Sequence, residues 1–189
     1  KAGKYLGKAA KRGQGPSEFT VLSSLESHNE SSFSFYDINR KTFYYTNSTT
    51  AGTVRFTPAF RVDSGLPLEV HPMANGKFIA PGIYEKYRYC VLDSNGQVHS
   101  TFGEWPYRDE DEKNVSGIVR SQAYMFGIAS SPSKTKFVAY LMSADMLSFF
   151  WCFERFATRL FVGYMLGRLC VPIVFRKTIP SECFGAIFR

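Results

Sequence analysis

Hydrophobic and polar positions alternate along much of the first 150 residues, in short runs separated by polar turns. In SSFSFYDINRKTFYY, Phe33 and Phe35 alternate with smaller residues before a turn at 37–40, and aromatic residues return in the next run. In MFGIASSPSKTKFVAYL the turn covers 131–136. Apolar and polar residues that alternate with a period of two, in short runs that end at turn residues, are typical of β-hairpins. The pattern predicts serial antiparallel hairpins and no helix before residue 142.

Two Asn-Gly pairs mark further hairpins. Asn75-Gly76 lies within LEVHPMANGKFIAPGIY, and Asn95-Gly96 lies within YRYCVLDSNGQVHSTFG. Asn-Gly favours a type I′ turn, in which both central residues have positive φ. Serial hairpins without helices between them exclude parallel α/β folds and leave sandwiches, barrels and propellers. The sequence therefore predicts an all-β protein.

The stretch KRGQGPSEF raises the question of phosphate binding, because it contains Gly13, Gly15 and Pro16 in close succession. A phosphate-binding loop needs a helix directly after it, whose free N–H groups meet the anion. Here 18–22 has the pattern of a strand, and Pro16 lacks an N–H. We interpret the segment as a structural turn that Phe19 anchors in the core.

The order of four segments resembles the TolB-like six-bladed β-propeller family, which is related in style to NHL-repeat propellers. The segments are GKAAKRGQGPSEF, FYDINRKTFYY, YCVLDSNGQVHSTFGEWP and SQAYMFGIASSPSKTKFVAYLMSADMLSFF, and the match covers roughly residues 5–150. The resemblance implies a scaffold of the cell envelope, periplasm or surface that acts as a binding or interaction module. It supplies no family-wide catalytic residues.

The chain is short for a closed six-bladed ring, since each blade takes about 45 residues. The resemblance therefore implies a partial propeller of about three blades, in other words a truncated member. An open arc exposes unpaired strand edges, so we expect self-association through these edges. The basic segment Lys1–Arg12 lacks the apolar stretch of a signal peptide.

Residues 151–189 differ in composition from residues 1–150, and we place a domain boundary there. The tail contains three of the four cysteines, and six Lys or Arg against two acidic residues. Apolar positions recur at helical spacing from Phe149 through Phe153, Phe156, Leu160 and Tyr164. One interpretation is a helix that packs on the propeller fragment or lies on a membrane surface. Another is that the tail is translated out of frame, which would explain why the repeats stop.

Composition and short motifs exclude several kinds of functional site. Aromatic residues make up 16% of the chain, which suits pleated sheets, and much of the net charge of +7 comes from the tail, so we expect no nucleic-acid partner. The cysteines form no C-x-x-C pair, and RDEDEKN lacks the central Gly of a calcium loop. His28, His71 and His99 lie in separate segments, and GIASS lacks the final Gly of a nucleophile elbow. We predict no catalytic residues, no metal and no cofactor.

The longest connection between hairpins is 103–117, GEWPYRDEDEKNVSG. Long loops on rigid β scaffolds often bind ligands. Trp105 and Tyr107 would offer aromatic faces beside the cation of Arg108, an arrangement that suits a glycan or a peptide. Stacking requires that Trp105 be exposed. The alternative function is a hydrolase or lyase whose catalytic residues come from separate blades.

Overall fold

The computed structural model describes residues 8–48, 54–124, 126–141, 146–151, 161–166 and 169–170. The chain divides into two compact units. The first comprises Lys1–Pro72 with Gly76–Ser121, and the second comprises Met73–Asn75 with Gln122–Arg189. The domain boundary predicted at residue 150 was drawn from a change in amino-acid composition and not from packing. It stays a prediction, and the nucleotide sequence of the gene would test whether residues 151–189 are translated in frame.

Strands dominate the first unit. They are β1 (Lys11–Arg12), β2 (Glu18–Phe19), β3 (Leu22–Ser27), β4 (Ser32–Asp37), β5 (Thr42–Ser48), β6 (Val54–Arg61), β7 (Leu66–Pro67), β8 (His71–Pro72), β9 (Phe78–Ile83), β10 (Tyr89–Leu92) and β11 (Val98–Phe102). Two short helices follow in the sequence, α1 (Glu110–Lys113) and α2 (Gly117–Ala123), and the last two residues of α2 belong to the second unit. The protein is mostly β, as predicted.

Two antiparallel sheets form the first unit. The first sheet has the order β3-β4-β5-β6, and the second has the order β11-β10-β9-β7, with β8 also paired to β9. The first sheet is a meander, since each of its strands pairs with the next strand in the sequence. Within the described residues, neither sheet closes on itself into a barrel. The antiparallel prediction is confirmed, apart from a short parallel contact between β1 and β2.

Successive side chains of β4 point to opposite faces of the first sheet, and each face packs into a different core. Tyr36 pairs with Phe43 across the strands, and both belong to the first core, which also includes Phe78, Cys90 and Leu92 of the second sheet. Phe35 pairs with Tyr44, and both pack with Phe19 on a smaller core. Because successive strand residues point to opposite faces, one strand supplies both cores.

The Asn-Gly turns differ from the predicted type I′ geometry. Gly76 and Gly96 have φ values of 74° and 80°, whereas neither asparagine is among the described non-glycine residues with positive φ. At the second turn, the N–H of Gly96 donates to the carbonyl of Asp93 at 3.1 Å. Asp93 Oδ1 also accepts the N–H of Asn95 at 2.8 Å, so the aspartate organises the turn. Asp37 acts in the same way on Asn39, at 3.1 Å.

The second unit contains a five-stranded antiparallel sheet with the order β12-β13-β14-β15-β16. Its strands are β12 (Phe126–Ser130), β13 (Lys136–Leu141), β14 (Met146–Trp151), β15 (Phe161–Leu166) and β16 (Leu169–Cys170). The predicted tail helix is therefore wrong over 161–166 and 169–170. Phe149 and Tyr164 lie in paired strands, while 152–160 lies outside the described residues. Pairing with β14 outweighed a helical spacing of aromatic residues that also suit strands.

The prediction of no helix before residue 142 is also wrong. Helix α1 begins after Asp109, whose side chain accepts the N–H of Glu112 at 2.9 Å. An Asp followed three residues later by Glu is a helix-start signal. No helix in the described part of the chain is long and apolar enough to cross a membrane.

Candidate functional site

Trp105 is buried, with 3% of its surface exposed. Its indole Nε1 donates to the carbonyl of Tyr84 at 2.8 Å, and its own carbonyl accepts from Arg120 Nη1 at 3.3 Å. A ring that stacks on a ligand needs an open face, and this ring has none. Trp105 therefore fixes the start of the segment 103–117 and does not offer the stacking surface expected of it.

Tyr107 and Arg108 are exposed, as a binding surface requires. Tyr107 has 42% of its surface exposed, and Lys113 Nζ lies 5.3 Å from the centroid of its ring. The Arg108 side chain is 84% exposed, and its Nε donates to Asp109 Oδ2 at 3.2 Å. Of the three predicted site residues, Tyr107 and Arg108 lie on the surface, whereas Trp105 is buried and cannot contact a ligand together with them.

Helix α1 orders the charged run that follows Tyr107. Asp109 caps the helix, and Glu112 Oε2 accepts the N–H of Arg108 at 2.6 Å. The N–H of Glu112 and the side chain of Arg108 hold the pKa of Asp109 below its usual range, because both favour the carboxylate. Tyr107 and Arg108 thus precede a capped turn of helix, which restrains their backbone.

The other end of the segment is tied down by Glu85. Its carboxylate accepts the N–H of Gly117 at 3.1 Å, the N–H of Ile118 at 3.3 Å and the hydroxyl of Ser116 at 2.9 Å. The backbone N–H of Gly117 is the largest cause that lowers the pKa of Glu85. The carboxylate thereby satisfies donors at the start of α2, which have no partner within the helix. Both ends of 103–117 are fixed on the sheet scaffold.

His71 lies between two carboxylates and is 5% exposed. Its Nδ1 is 2.7 Å from Glu26 Oε1, and its Nε2 is 2.9 Å from Glu69 Oε2. Burial lowers the pKa of His71, but the hydrogen bonds with Glu26 and Glu69 outweigh burial, so the pKa is raised. Ionised carboxylates only accept hydrogen bonds, so both ring nitrogens carry a hydrogen. This arrangement joins β3 to β8, and it leaves no ring nitrogen to act as a base.

The remaining histidines give no catalytic pair. His28 Nε2 lies 2.8 Å from Ser34 Oγ, but Ser34 is fully buried, so its hydroxyl cannot meet a substrate. His99 Nε2 lies 2.8 Å from Lys77 Nζ on the surface. Within the described residues, no group of three or more His, Cys, Asp or Glu side chains is arranged to hold a metal ion.

Cys90 is a buried free thiol. Its Sγ lies 3.1 Å from the hydroxyl of Tyr84, and burial raises the pKa of the thiol. A raised pKa keeps the group as a thiol, which is a poor nucleophile. Cys90 is therefore a packing residue of the first core.

No protein-family model matches the chain, and no curated protein matches it. Among solved structures, the chain is similar to a protein of Bacteroides fragilis NCTC 9343 that is described as a "Putative exported protein", with a TM-score of 0.48 and 15% sequence identity. The alignment covers 82% of this chain and 41% of that chain, so this chain spans less than half of that protein's length.

The residues that organise the site were mostly missed by sequence reasoning. Glu85, Glu26 and Glu69 are isolated acids in the sequence, and their partners lie as far as 45 residues away, as between Glu26 and His71. No local motif records such contacts. The signal that was available is the Asp109 to Glu112 capping pattern, which predicts helix α1 and an ordered segment.

Proposed function

We propose that the chain is a binding or interaction module whose ligand, a glycan or a peptide, contacts Tyr107 and Arg108. The observation that supports this proposal most directly is the state of Tyr107. Its ring is exposed next to the cation of Lys113, and the capped helix α1 follows it. An exposed aromatic ring on restrained backbone can stack on a sugar or an aromatic side chain at little cost in entropy.

The scaffold that we propose is a partial β-propeller of the cell envelope. The first sheet supports it, because a four-stranded meander of sequential strands is the form of a propeller blade. The location is carried over from the resemblance to TolB-like propellers. Self-association through open strand edges belongs to the same proposal, and light scattering of the purified chain tests it. A single monomeric species over a wide concentration range would contradict self-association.

The binding experiment is a glycan and peptide array probed with the wild-type chain, Tyr107→Ala and Arg108→Ala. Loss of an exposed stacking or cation–π contact costs about 1 kcal/mol, so we expect affinity to fall about fivefold in each variant. Tyr140→Ala and Arg61→Ala are matched controls, because Tyr140 is 43% exposed and the Arg61 side chain is 70% exposed. These controls should bind as the wild type does.

Two results would overturn the proposal. One is an array without any ligand for the wild-type chain. The other is a ligand whose affinity is the same for the wild type, Tyr107→Ala and Arg108→Ala. The hydrolase or lyase alternative would gain support only from turnover that is lost in His99→Gln while this variant remains folded, because both ring nitrogens of His71 are already bound to carboxylates.

A further inference from the structure

Two asparagines of this chain are followed directly by a glycine. Asn75 precedes Gly76, and Asn95 precedes Gly96. Both asparagines are exposed, and both glycines have positive φ, 74° for Gly76 and 80° for Gly96. The two pairs are therefore alike in sequence and in turn conformation, and they differ in what surrounds the glycine.

An asparagine that precedes a glycine can lose its side-chain amide without an enzyme, and asparagine is for this reason a thermolabile residue. The backbone nitrogen of the glycine gives its proton to hydroxide, attacks Cγ of the asparagine and forms a new C–N bond. The side-chain nitrogen takes a proton from water and leaves as ammonia, so a succinimide ring remains in the main chain. Water then opens this ring at either carbonyl and leaves aspartate or isoaspartate.

This reaction requires a turn that can rotate and open space around the glycine. The glycine nitrogen has to face the side-chain carbonyl of the asparagine, so hydrogen bonds that fix the turn slow the reaction. Open space is needed because the main chain moves as the ring closes. The fold therefore determines which Asn-Gly pair reacts.

The turn at Asn95 is fixed and crowded. Asp93 Oδ1 accepts the N–H of Asn95 at 2.8 Å and the N–H of Gln97 at 2.9 Å, and the carbonyl of Asp93 accepts the N–H of Gly96 at 3.1 Å. Gly96 is buried, and a Cβ there would lie 2.5 Å from the carbonyl oxygen of Arg61. Rotation of this turn would break these hydrogen bonds and would press the main chain against β6.

The turn at Asn75 has open space and no aspartate to hold it. Gly76 is exposed, and a Cβ at this position would meet no described atom within 4 Å. The residue that corresponds to Asp93 is Met73, whose thioether is a weak acceptor and cannot organise the turn as a carboxylate does. The pair lies in the loop between β8 and β9, and exposed loop tips are more mobile than strands. Asn75 therefore meets the requirements that Asn95 fails.

We propose that Asn75 is a site of spontaneous deamidation in the folded protein, and that the fold protects Asn95 from the same reaction. The product carries an additional negative charge in the loop between β8 and β9. This charge lies two residues before Lys77, whose Nζ is 2.8 Å from His99 Nε2. The site does not depend on the proposed ligand, so it would stand if the proposed function failed.

The test follows both asparagines in one sample of the full chain. The folded protein is incubated at mildly alkaline pH, and a second sample is incubated in guanidinium chloride at the same pH and temperature. Peptide mapping by mass spectrometry measures the loss of each asparagine, and electron-transfer fragmentation distinguishes isoaspartate from aspartate. In the folded chain we expect Asn75 to react about tenfold faster than Asn95 or more, because Asn95 must first lose the hydrogen bonds to Asp93. In guanidinium chloride both turns are lost, so the two rates should converge.

Two variants test the protection and the attack separately. Asp93→Ala removes the carboxylate that holds the second turn, so Asn95 should react faster in this variant while Asn75 reacts as in the wild type. Gly76→Ala places a Cβ beside the attacking nitrogen, so only the reaction of Asn75 should become slower. The comparison of folded and unfolded wild type remains decisive if Asp93→Ala does not fold. The proposal is overturned if Asn75 stays intact in the folded chain, if Asn95 reacts there as fast as Asn75, or if guanidinium chloride leaves the difference unchanged.

Discussion

The carboxylate of Glu85 accepts the backbone N–H of Gly117, a residue 32 positions later in the chain, at 3.1 Å. This contact joins the loop after β9 to the start of α2. Gly117 is required for it, because a Cβ at this position would overlap the backbone of Glu85. The segment 103–117 is thus anchored by a contact that only a glycine permits.

The first prediction concerns this anchor. Glu85→Gln weakens the acceptor for Gly117 and Ile118, so amide hydrogen exchange at these two positions should become faster while exchange in β9 stays the same. The folded-state pKa of Glu85 is lowered, so its contribution is present above the unfolded pKa and is lost as the pH falls through the folded value. Glu110→Gln is the control, since Glu110 pairs only with exposed Lys113. Unchanged exchange in Glu85→Gln would contradict the anchoring role.

The second prediction concerns the pH dependence of stability. The pKa of His71 is raised above its ordinary value of 6.5, so its contribution is complete below about pH 6.5 and is lost as the pH rises through the folded-state pKa. Urea unfolding from about pH 6 to about pH 9 should show this decline in the wild type. His71→Gln should cost roughly 2–4 kcal/mol at the acid end and should lack that part of the decline.

His99→Gln is the matched control for this measurement, because His99 lies on the surface beside Lys77. It should retain the decline of the wild type. If His71→Gln and the wild type lost stability in parallel as the pH rises, the paired imidazolium would not be the group responsible.

The third prediction uses the two Asn-Gly turns as a matched pair. Gly76 and Gly96 both have positive φ, but a Cβ at Gly96 would lie 2.5 Å from the carbonyl oxygen of Arg61, whereas one at Gly76 meets no described atom within 4 Å. Gly76→Ala should cost about 1 kcal/mol, which is the strain of the left-handed backbone. Gly96→Ala should cost roughly 2–4 kcal/mol, because the overlap adds to that strain. Chemical denaturation measures both, and equal costs would contradict the close approach.

The fourth prediction separates packing from binding at the predicted site. Trp105→Phe removes the N–H that donates to Tyr84 and leaves a smaller ring in a buried position, so it should lower stability by roughly 1–3 kcal/mol. Once folded, this variant should bind any ligand found on the array as the wild type does. A variant of normal stability that no longer binds would restore Trp105 as a contact residue.

The hairpins could be predicted because their signals are local. Asp37 and Asp93 each end a run of alternating residues, and each accepts N–H groups of the turn that follows it. Sequence neighbours alone determine these contacts. The type of turn at Asn95 was less predictable, since the aspartate two residues earlier already organises the turn.

The exposure of Trp105 and the partners of His71 could not be predicted, for a different reason. Whether a tryptophan beside a charged run faces solvent depends on what packs over it, and here the acceptor is the carbonyl of Tyr84, 21 residues away. The tail shows the same limit. Tyr164 fits a helical spacing in the sequence, but its pairing with Met146 places it in a strand.

The sequential order of strands in the first sheet has a consequence for synthesis. Each strand pairs with the one made just before it, so contact order within this sheet is low and the sheet can assemble as soon as Arg61 leaves the ribosome. The hydrogen bond from Val70 to Ser24 and the bridge from His71 to Glu26 come about ten residues later. Strand pairing can thus run in step with translation, while the first core, which includes Phe78 and Leu92, can close only after β9 and β10 have been made.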